Sequence, residues 1–191
     1  MGLLTIIRKQ RLKDREMRIL MLGLDNAGKT TIVKALLGED VKTISPTLGF
    51  NIRTLEHGKY KVNIWDAGGQ RTLRPFWKNY YEDTDGLIWV VDATALDRLE
   101  DCRVELQKVL TEDRLAGACL LIMVNKLDAI GDEILKKKVV QQVEKVLMLG
   151  KVDSTHSWKV IGCSAYDGTN LQEGLDWVVD EIKSRLFLLD D

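Results

Sequence analysis

The stretch Gly23-Leu24-Asp25-Asn26-Ala27-Gly28-Lys29-Thr30 decides the fold, because it has a glycine, four residues and then Gly-Lys-Thr. An apolar run, residues 17–22, leads into it, and a helical pattern, residues 31–37, leads out of it. In that setting, backbone N–H groups and the start of the helix converge on a polyphosphate. Lys29 is predicted to reach the outer phosphates, and Thr30 to place its hydroxyl on a magnesium ion. The alternative is a chance glycine turn, which would match in about one chain in a hundred of this length.

Around this loop, short apolar runs alternate with amphipathic segments, which predicts a parallel sheet wrapped by helices. Two alternating runs on either side of His57-Gly58 predict a strand pair joined by a tight turn. Apolar residues at spacings of three and four predict a last helix over residues 171–186. No repeat, low-complexity tract or linker interrupts the chain, so one domain is expected. The predicted strands are residues 17–22, 51–56, 61–65, 86–91, 119–124 and 159–163.

The composition fits a single globular domain with a sizeable core. The chain has 191 residues, of which 45% are hydrophobic and 30% charged, and its formal net charge is −1. So small a charge provides no basic field that would recruit nucleic acid or an acidic membrane. The three cysteines lack disulfide or metal-ligand spacing, and no apolar run approaches the roughly 18 to 20 residues that span a bilayer. We therefore expect a cytoplasmic protein without a transmembrane segment.

A second motif, Asn125-Lys126-Leu127-Asp128, is predicted to read the base. It follows the apolar run 120–124 and so lies at the carboxyl edge of the sheet, where open α/β folds bind ligands. The carboxylate of Asp128 can accept hydrogen bonds from two N–H groups on the guanine edge, a pattern that adenine lacks. After the last strand, Ser164 and Ala165 are expected to bring backbone N–H groups to the guanine carbonyl oxygen. In isolation the motif would more often be a solvated loop, but beside a phosphate loop it favours guanine.

A third segment, Trp65-Asp66-Ala67-Gly68-Gly69-Gln70, also lies at the end of a predicted strand. Asp66 is predicted to hold magnesium through a water, Gly69 to bring its N–H to a γ-phosphate, and Gln70 to orient the attacking water. Thr47, in a loop upstream, is expected to give the metal a second hydroxyl only while a γ-phosphate is present. Loss of that phosphate would release Thr47 and Gly69 together, which is the behaviour of a switch. Without the other motifs, the segment would be an ordinary turn capped by Asp66.

These assignments define one mechanism, in which water attacks the γ-phosphorus in line while Gln70 positions it. Lys29, magnesium and backbone N–H groups stabilise the charge. Nothing in the sequence aims Arg71 or Arg74 at the γ-phosphate, so intrinsic hydrolysis is expected to be slow and an activating protein to accelerate it. The predicted catalytic residues are Gln70 and Lys29. The predicted metal contacts are Thr30, Thr47 and, through a water, Asp66. The predicted nucleotide contacts are Leu24, Asp25, Asn26, Ala27, Gly28, Lys29, Thr30, Thr31, Thr47, Gly69, Asn125, Lys126, Asp128, Ser164 and Ala165.

In order and spacing, these motifs resemble those of the ADP-ribosylation-factor family of small GTPases over nearly the whole chain. The resemblance implies an α/β phosphate-loop GTPase domain at residues 16–191, with a six-stranded, mostly parallel sheet flanked by five helices. It also implies GTP, GDP and magnesium as ligands, exchange and GTPase-activating proteins as regulators, and partners that bind only the GTP state. Within the family, residues 1–6 and 47–51 are similar to the branch tied to tubulin folding. That similarity implies tubulin-specific chaperone cofactors and carriers of lipidated proteins as partners. It also implies that part of the cytoplasmic protein is associated with microtubules.

Residues 1–15 are predicted to form an amphipathic helix in front of this domain. Gly2 suggests myristoylation, but the pattern needs Ser or Thr at position six, where the chain has Ile6, so no myristoyl group is expected. The apolar residues and the basic residues after them still give the segment two faces. Docking on a protein site is the preferred role, because so short a segment would hold a membrane only weakly without a lipid anchor. Packing on its own domain and contact with acidic lipid are the alternatives.

Aromatic residues after the catalytic segment are expected to present a surface to effectors. Trp77 stands there with Phe76, Tyr80 and Tyr81, whereas the other tryptophans lie in or beside apolar runs and are expected to pack in the core. The predicted effector and switch residues are Phe50, Trp65, Phe76, Trp77, Tyr80, Leu3, Leu4 and Ile7.

Two other functions stay open on the sequence. One is a phosphate-loop kinase that transfers the γ-phosphoryl group to a small acceptor, although no acceptor-binding lid is evident. The other is an assembly subunit in which GTP is mainly structural. A phosphorylated product would identify the kinase, and full partner cycling by a hydrolysis-defective variant would identify the assembly subunit.

Overall fold

The computed structural model describes Ile6, Gln10 and residues 14–151 and 156–187. Ile6 and Gln10 are helical, and Ile6 is exposed. The residues predicted for the N-terminal effector contact, which are Leu3, Leu4 and Ile7, lie outside the described residues. The predicted amphipathic helix over residues 1–15 therefore stays a prediction.

Six strands form one sheet in which all neighbours are parallel except one pair. The strands are β1 (Glu16–Gly23), β2 (Phe50–His57), β3 (Tyr60–Ala67), β4 (Gly86–Asp92), β5 (Cys119–Asn125) and β6 (Trp158–Gly162). Their order in the sheet is β2-β3-β1-β4-β5-β6, and β2 runs antiparallel to β3 as the hairpin predicted around His57-Gly58. The predicted six-stranded, mostly parallel sheet is confirmed, with each strand end within two residues of its predicted position.

In the described ranges, four α-helices and one long 3-10 helix account for the five predicted helices. The α-helices are α1 (Lys29–Leu36), α2 (Leu99–Leu110), α3 (Glu133–Val146) and α4 (Leu171–Phe187), and the seven-residue 3-10 helix is Arg74–Tyr80. Shorter 3-10 turns cover Leu96–Arg98, Asp113–Leu115, Leu127–Ala129 and Leu149–Lys151. Among the helices described, none is both long enough and apolar enough to cross a membrane.

Helices cover both faces of the sheet, which explains why β4 and β5 read as unbroken apolar runs rather than as alternating patterns. On one face, α1 and α4 pack their apolar residues on alternate positions of β1, β3, β4 and β5. On the other face, α2 and α3 pack on the positions between them. All three cysteines are free and buried in this interior.

The parallel pairing brings the three motifs to one edge of the sheet. Met21 pairs with Asp66, so the end of β3 lies beside the beginning of the phosphate loop. Asp92 pairs with Asn125, so the guanine motif begins at the same edge. Because parallel strands all end on the same side, motifs far apart in the chain become neighbours.

Candidate nucleotide-binding site

The phosphate loop wraps the ammonium group of Lys29. Gly28, with a φ of 94°, turns the chain into α1, so the helix begins at Lys29, two residues earlier than predicted. The Nζ of Lys29 donates hydrogen bonds to the carbonyl oxygens of Gly23, at 2.9 Å, and Leu24, at 2.8 Å. Burial lowers the pKa of Lys29 to about 8, although the charge of Asp66 opposes the shift. A polyphosphate would supply the negative charge that so buried an ammonium needs.

Three oxygen-bearing side chains, Thr30, Thr47 and Asp66, meet beside this lysine. The hydroxyl of Thr30 donates to Oδ2 of Asp66 at 2.6 Å and lies 2.8 Å from the hydroxyl of Thr47. Asp66 is 1% exposed, and its Oδ1 has no hydrogen-bond partner among the residues that the structure describes. Burial raises the pKa of Asp66, because it disfavours the charged carboxylate. One orphaned carboxylate oxygen beside two hydroxyls fits magnesium, which prefers oxygen ligands and keeps several waters.

A cavity of ≈ 470 Å³ is lined by the phosphate loop, by residues 44–47 and by residues 68–70. Its volume lies within the range of small-molecule sites, which is roughly 300–1,000 Å³. The three segments that line it are the three that the sequence predicts to contact phosphates or the magnesium ion. Folding therefore brings the predicted phosphate-binding residues to one place.

The catalytic segment packs directly on the phosphate loop. A Cβ on Gly69 would lie 2.4 Å from the carbonyl oxygen of Gly23, so no side chain fits at this position. The N–H of Gly68 donates to the carbonyl oxygen of Gly49 at 2.8 Å, which ties this segment to the loop before β2. Gln70 follows and lines the cavity, where it can reach an attacking water.

Asn125 joins the guanine motif to the phosphate loop. Its Nδ2 donates to the carbonyl oxygen of Ala27 at 3.0 Å, and its Oδ1 accepts from the N–H of Ala165 at 2.9 Å. The hydroxyl of Ser164 donates to Oδ1 of Asp128 at 2.8 Å, while Asp128 itself lies exposed. The predicted base-reading residues therefore meet, and Asn125 is held at both ends of its amide within the protein. The backbone N–H groups that were predicted to reach the guanine carbonyl oxygen donate within the protein in this structure, that of Ala165 to Asn125 and that of Ser164 to the carbonyl oxygen of Thr169 at 3.1 Å.

Asp92 is a site residue that sequence reasoning missed. Lys126, in a left-handed conformation with a φ of 68°, places its Nζ 2.7 Å from Oδ2 of Asp92. The N–H and hydroxyl of Thr94 donate to the other carboxylate oxygen. Burial raises the pKa of Asp92, but the hydrogen bonds from Lys126 and Thr94 outweigh that effect and bring it below its ordinary value. The available signal was an acidic residue directly after an apolar strand, at the sheet edge where the motifs lie.

Comparison with known proteins identifies the family to which this chain is similar. The ADP-ribosylation factor family matches residues 3–182. The chain is 55% identical to the ADP-ribosylation factor-like protein 2 of Arabidopsis thaliana, over 190 residues and 100% of both chains. The chain belongs to the ADP-ribosylation factor family. It is a small Arf-like GTPase, and the family that its motifs resemble is confirmed.

A second relative and a solved structure agree with this membership. The chain is 53% identical to the ADP-ribosylation factor-like protein 2 of Drosophila melanogaster, again over 100% of both chains. The structure of the Arl6 BBS3 small GTPase from Trypanosoma brucei, with the bound nucleotide analogue GppNp, superposes with a TM-score of 0.77 at 28% identity. That likeness covers 89% of this chain and 99% of the Arl6 chain.

The aromatic residues predicted to contact effectors of this family member divide into two groups. Phe50 stacks on Trp65 with ring centroids 5.5 Å apart, and Tyr80 lies 4.8 Å from Phe50. Phe50 is 41% exposed and Phe76 is 55% exposed. These four residues can contribute to a surface beside the switch segments.

Trp77 and Tyr81 do not belong to that surface, and the prediction that they present aromatic area to an effector is wrong, because Trp77 is 2% exposed and Tyr81 is 5% exposed. Trp77 meets Trp89 edge to face, with centroids 5.7 Å apart. Its Nε1 donates to the carbonyl oxygen of Gly68 at 2.9 Å. A buried indole needs a partner for its N–H, and Trp77 finds one in the catalytic segment, which it anchors from below the surface.

Proposed function

We propose that this family member is a magnesium-dependent switch that binds GDP and GTP in the cavity and hydrolyses GTP slowly. The observation that carries the proposal is the contact of Thr30 with both Asp66 and Thr47. This contact joins the phosphate loop, the end of β3 and the loop before β2 at one point. A γ-phosphate with its metal would hold those parts together, and its loss would release the loop before β2.

The residues of the chain divide the chemistry between binding and positioning. Magnesium, when bound, offsets the charge of the β- and γ-phosphates, and Thr30, Thr47 and Asp66 would hold it. The ammonium of Lys29 has three N–H donors and uses two of them on the carbonyl oxygens of Gly23 and Leu24, so it would donate to the outer phosphates as well. The N–H of Gly69 donates to the γ-phosphate, and Gln70 accepts from the attacking water and aligns it. No described arginine lines the cavity, which agrees with slow hydrolysis until an activating protein acts.

Titration calorimetry of nucleotide-free protein with GTP, GDP and ATP, with and without magnesium, tests the proposal. The expected result is magnesium-dependent binding of both guanine nucleotides and no binding of ATP, because Asp128 accepts from two N–H groups that adenine lacks. Comparable ATP binding would contradict guanine reading. Incubation with GTP and small acceptors then separates hydrolysis from kinase activity, since a GTPase yields inorganic phosphate and a kinase a phosphorylated acceptor.

The finer part of the proposal concerns partners. We infer that exchange and activating proteins set the nucleotide state, and that the GTP state binds tubulin-specific chaperone cofactors and carriers of lipidated proteins. The resemblance of residues 1–6 and 47–51 supports these partner classes, and the exposed Phe50 and Phe76 beside the switch segments supply a surface for them. A cytoplasmic protein with a share on microtubules fits the same proposal.

Binding assays with each purified partner class test this part. Gln70→Leu should trap the GTP state and bind partners more tightly than Thr30→Asn, which loses a magnesium contact. When Phe76→Ala is added to Gln70→Leu, the double variant should bind the partners more weakly than Gln70→Leu alone, with unchanged affinity for nucleotide. Equal binding of both nucleotide states by every partner would contradict a role as their switch.

A further inference from the structure

Arg74 is a buried cation to which the proposed function assigns no role. It is the first residue of the 3-10 helix Arg74–Tyr80, ahead of Pro75, and is only 8% exposed. A guanidinium stays charged at every physiological pH, so its burial costs free energy unless hydrogen bonds and opposite charges surround it. The groups that surround Arg74 therefore indicate what this side chain holds in place.

The guanidinium joins three parts of the domain. Its Nε donates to the carbonyl oxygen of Gly69 at 3.1 Å. Its Nη1 donates to both carboxylate oxygens of Asp101 on α2, at 3.3 Å each, and lies 3.7 Å from Glu105. Its Nη2 lies 3.7 Å from the carboxylate of Asp25 in the phosphate loop. One side chain thus links the catalytic segment to α2 and to the phosphate loop.

Arg74 donates a hydrogen bond to Gly69, whereas Arg74 and Arg98 both lie beside the carboxylate of Asp25. Arg98 approaches the same carboxylate oxygen of Asp25 more closely, at 2.7 Å, and also donates to the carbonyl oxygen of Asp25 at 3.1 Å. Asp25 therefore keeps a cationic partner when Arg74 is removed. Asp101, by contrast, accepts from Nη1 through both of its carboxylate oxygens and so orients the guanidinium whose Nε donates to Gly69.

The carbonyl of Gly69 and the N–H of Gln70 belong to the same planar peptide group. A hydrogen bond to that carbonyl therefore fixes the orientation of the peptide plane to which Gln70 is attached. The turn that follows is closed by the N–H groups of Leu73 and Arg74, which donate to the carbonyl oxygen of Gln70 at 2.8 and 3.2 Å. Arg74 is not among the described residues that line the cavity, so we expect no direct contact with the phosphates. Its effect on hydrolysis has to pass through Gly69 and Gln70.

We propose that Arg74 is a positioning residue for GTP hydrolysis, which fixes the Gly69–Gln70 peptide against the phosphate loop through Asp101 and α2. The inference rests on the proposed function, since it assigns Arg74 a part in that hydrolysis. It also separates nucleotide binding from the rate of hydrolysis. Nucleotide binding depends on the phosphate loop and the guanine motif, whereas the rate of hydrolysis depends in addition on the hydrogen bond from Arg74 to Gly69.

Single-turnover hydrolysis of preloaded GTP, together with dissociation constants for GTP and GDP and a thermal melt, tests this separation. In Arg74→Gln, the rate should fall by about tenfold to a hundredfold, since small misplacements of catalytic groups cost that much. The dissociation constant for GDP should stay within about threefold of wild type, because the ground-state contacts remain. Arg74→Lys should recover part of the rate, because an ammonium can still donate to Gly69. The matched control is Arg103→Gln on α2, the helix that carries Asp101; it breaks the ion pair with Glu100 and should hydrolyse GTP at the wild-type rate.

Asp101→Asn keeps Arg74 and weakens its orientation, so it also decides the question if Arg74→Gln fails to fold. A reduced rate with unchanged GDP affinity supports the proposal. An unchanged rate in either variant, or a loss of GDP affinity in parallel with the rate, overturns it. Wild-type protein that does not hydrolyse GTP would instead overturn the proposed function, whereas a wild-type rate in Arg74→Gln overturns only the positioning role.

Discussion

At the guanine end of the site, Asn125 is hydrogen bonded at both ends of its amide, and Lys126 is ion-paired with Asp92. At the phosphate end, the loop before β2 reaches the phosphate loop through the hydroxyls of Thr47 and Thr30. The guanine end is therefore held in place by contacts within the protein, whereas the phosphate end is completed by charge that the nucleotide brings. A switch needs this difference, because base recognition must hold in both states and the γ-phosphate contacts must come apart in one.

The largest effect should follow from Asp128→Ala, which removes the base acceptor and leaves the phosphate end intact. Two hydrogen bonds to a charged group are lost, so GDP affinity should fall by about 10²- to 10⁴-fold, as measured by displacement of a fluorescent nucleotide. Asp113→Ala, at another exposed aspartate, is the control and should bind GDP as wild type does. An equal loss of affinity for inorganic triphosphate would show that the two ends are not separate.

Gln70→Leu should slow GTP hydrolysis at the phosphate end without weakening nucleotide binding at either end. The leucine cannot accept from the attacking water, so single-turnover hydrolysis should fall by about 10²-fold, with GDP affinity unchanged. Gln142→Leu, at an exposed glutamine on α3, is the control. If Gln70→Leu hydrolyses GTP at the wild-type rate with an activating protein present, the role of Gln70 is wrong.

Thr47→Ala should lower the affinity for GTP relative to that for GDP, because it removes one contact that only the γ-phosphate state is expected to need. GTP affinity should fall by about tenfold, the value of one hydrogen bond to a charged group, whereas GDP affinity should stay the same. Titration calorimetry with both nucleotides measures the ratio. Thr43→Ala, in the same loop with an exposed side chain, should leave the ratio unchanged. A parallel loss for GDP would mean that Thr47 serves both states.

The smallest effect should come from pH, through Lys29. Burial lowers its pKa from 10.5 to about 8, so the nucleotide-free protein loses this proton near pH 8, whereas bound phosphates favour the ammonium. GDP affinity should therefore fall by about fourfold between pH 7 and pH 8.5. The same shift should make the nucleotide-free protein more stable as pH rises from about 8 toward 10.5, since only the unfolded chain keeps the proton.

Lys29→Arg separates the titration of this residue from other effects of pH. A guanidinium stays charged over the whole range, so the variant should bind GDP with little dependence on pH, even if more weakly than wild type. Calorimetry in buffers of different ionisation enthalpy measures the proton uptake directly. Proton uptake by Lys29→Arg equal to that of wild type would assign the effect to another group.

The strands and the long helices were predictable because their patterns are local. An apolar run bounded by turns is enough to place β4 and β5, and spacings of three and four are enough to place α4. The start of α1 at Lys29 was missed, because it depends on the backbone conformation of Gly28 rather than on an apolar pattern. The family itself could be recognised from motifs that lie in order along the chain.

The burial of Trp77 and the contacts of Arg74 were not predictable in the same way. Both residues lie in a polar and aromatic stretch after the catalytic segment, which gives no periodicity to interpret. Whether Trp77 faces solvent depends on the space beside Trp89 and on the carbonyl oxygen of Gly68, which accepts the indole N–H. Arg74 depends on Asp101, which lies on another helix, far along the chain.

The sequence by itself determined the fold class, the phosphate loop and the order of the guanine and catalytic motifs, because each of these is encoded by residues that are neighbours in the chain. Only the tertiary structure decided which side chains hold the motifs together. Asp92 with Lys126, Trp77 with Gly68 and Arg74 with Gly69 meet through sheet register and helix packing. Such contacts depend on distances across the fold, which local patterns do not specify.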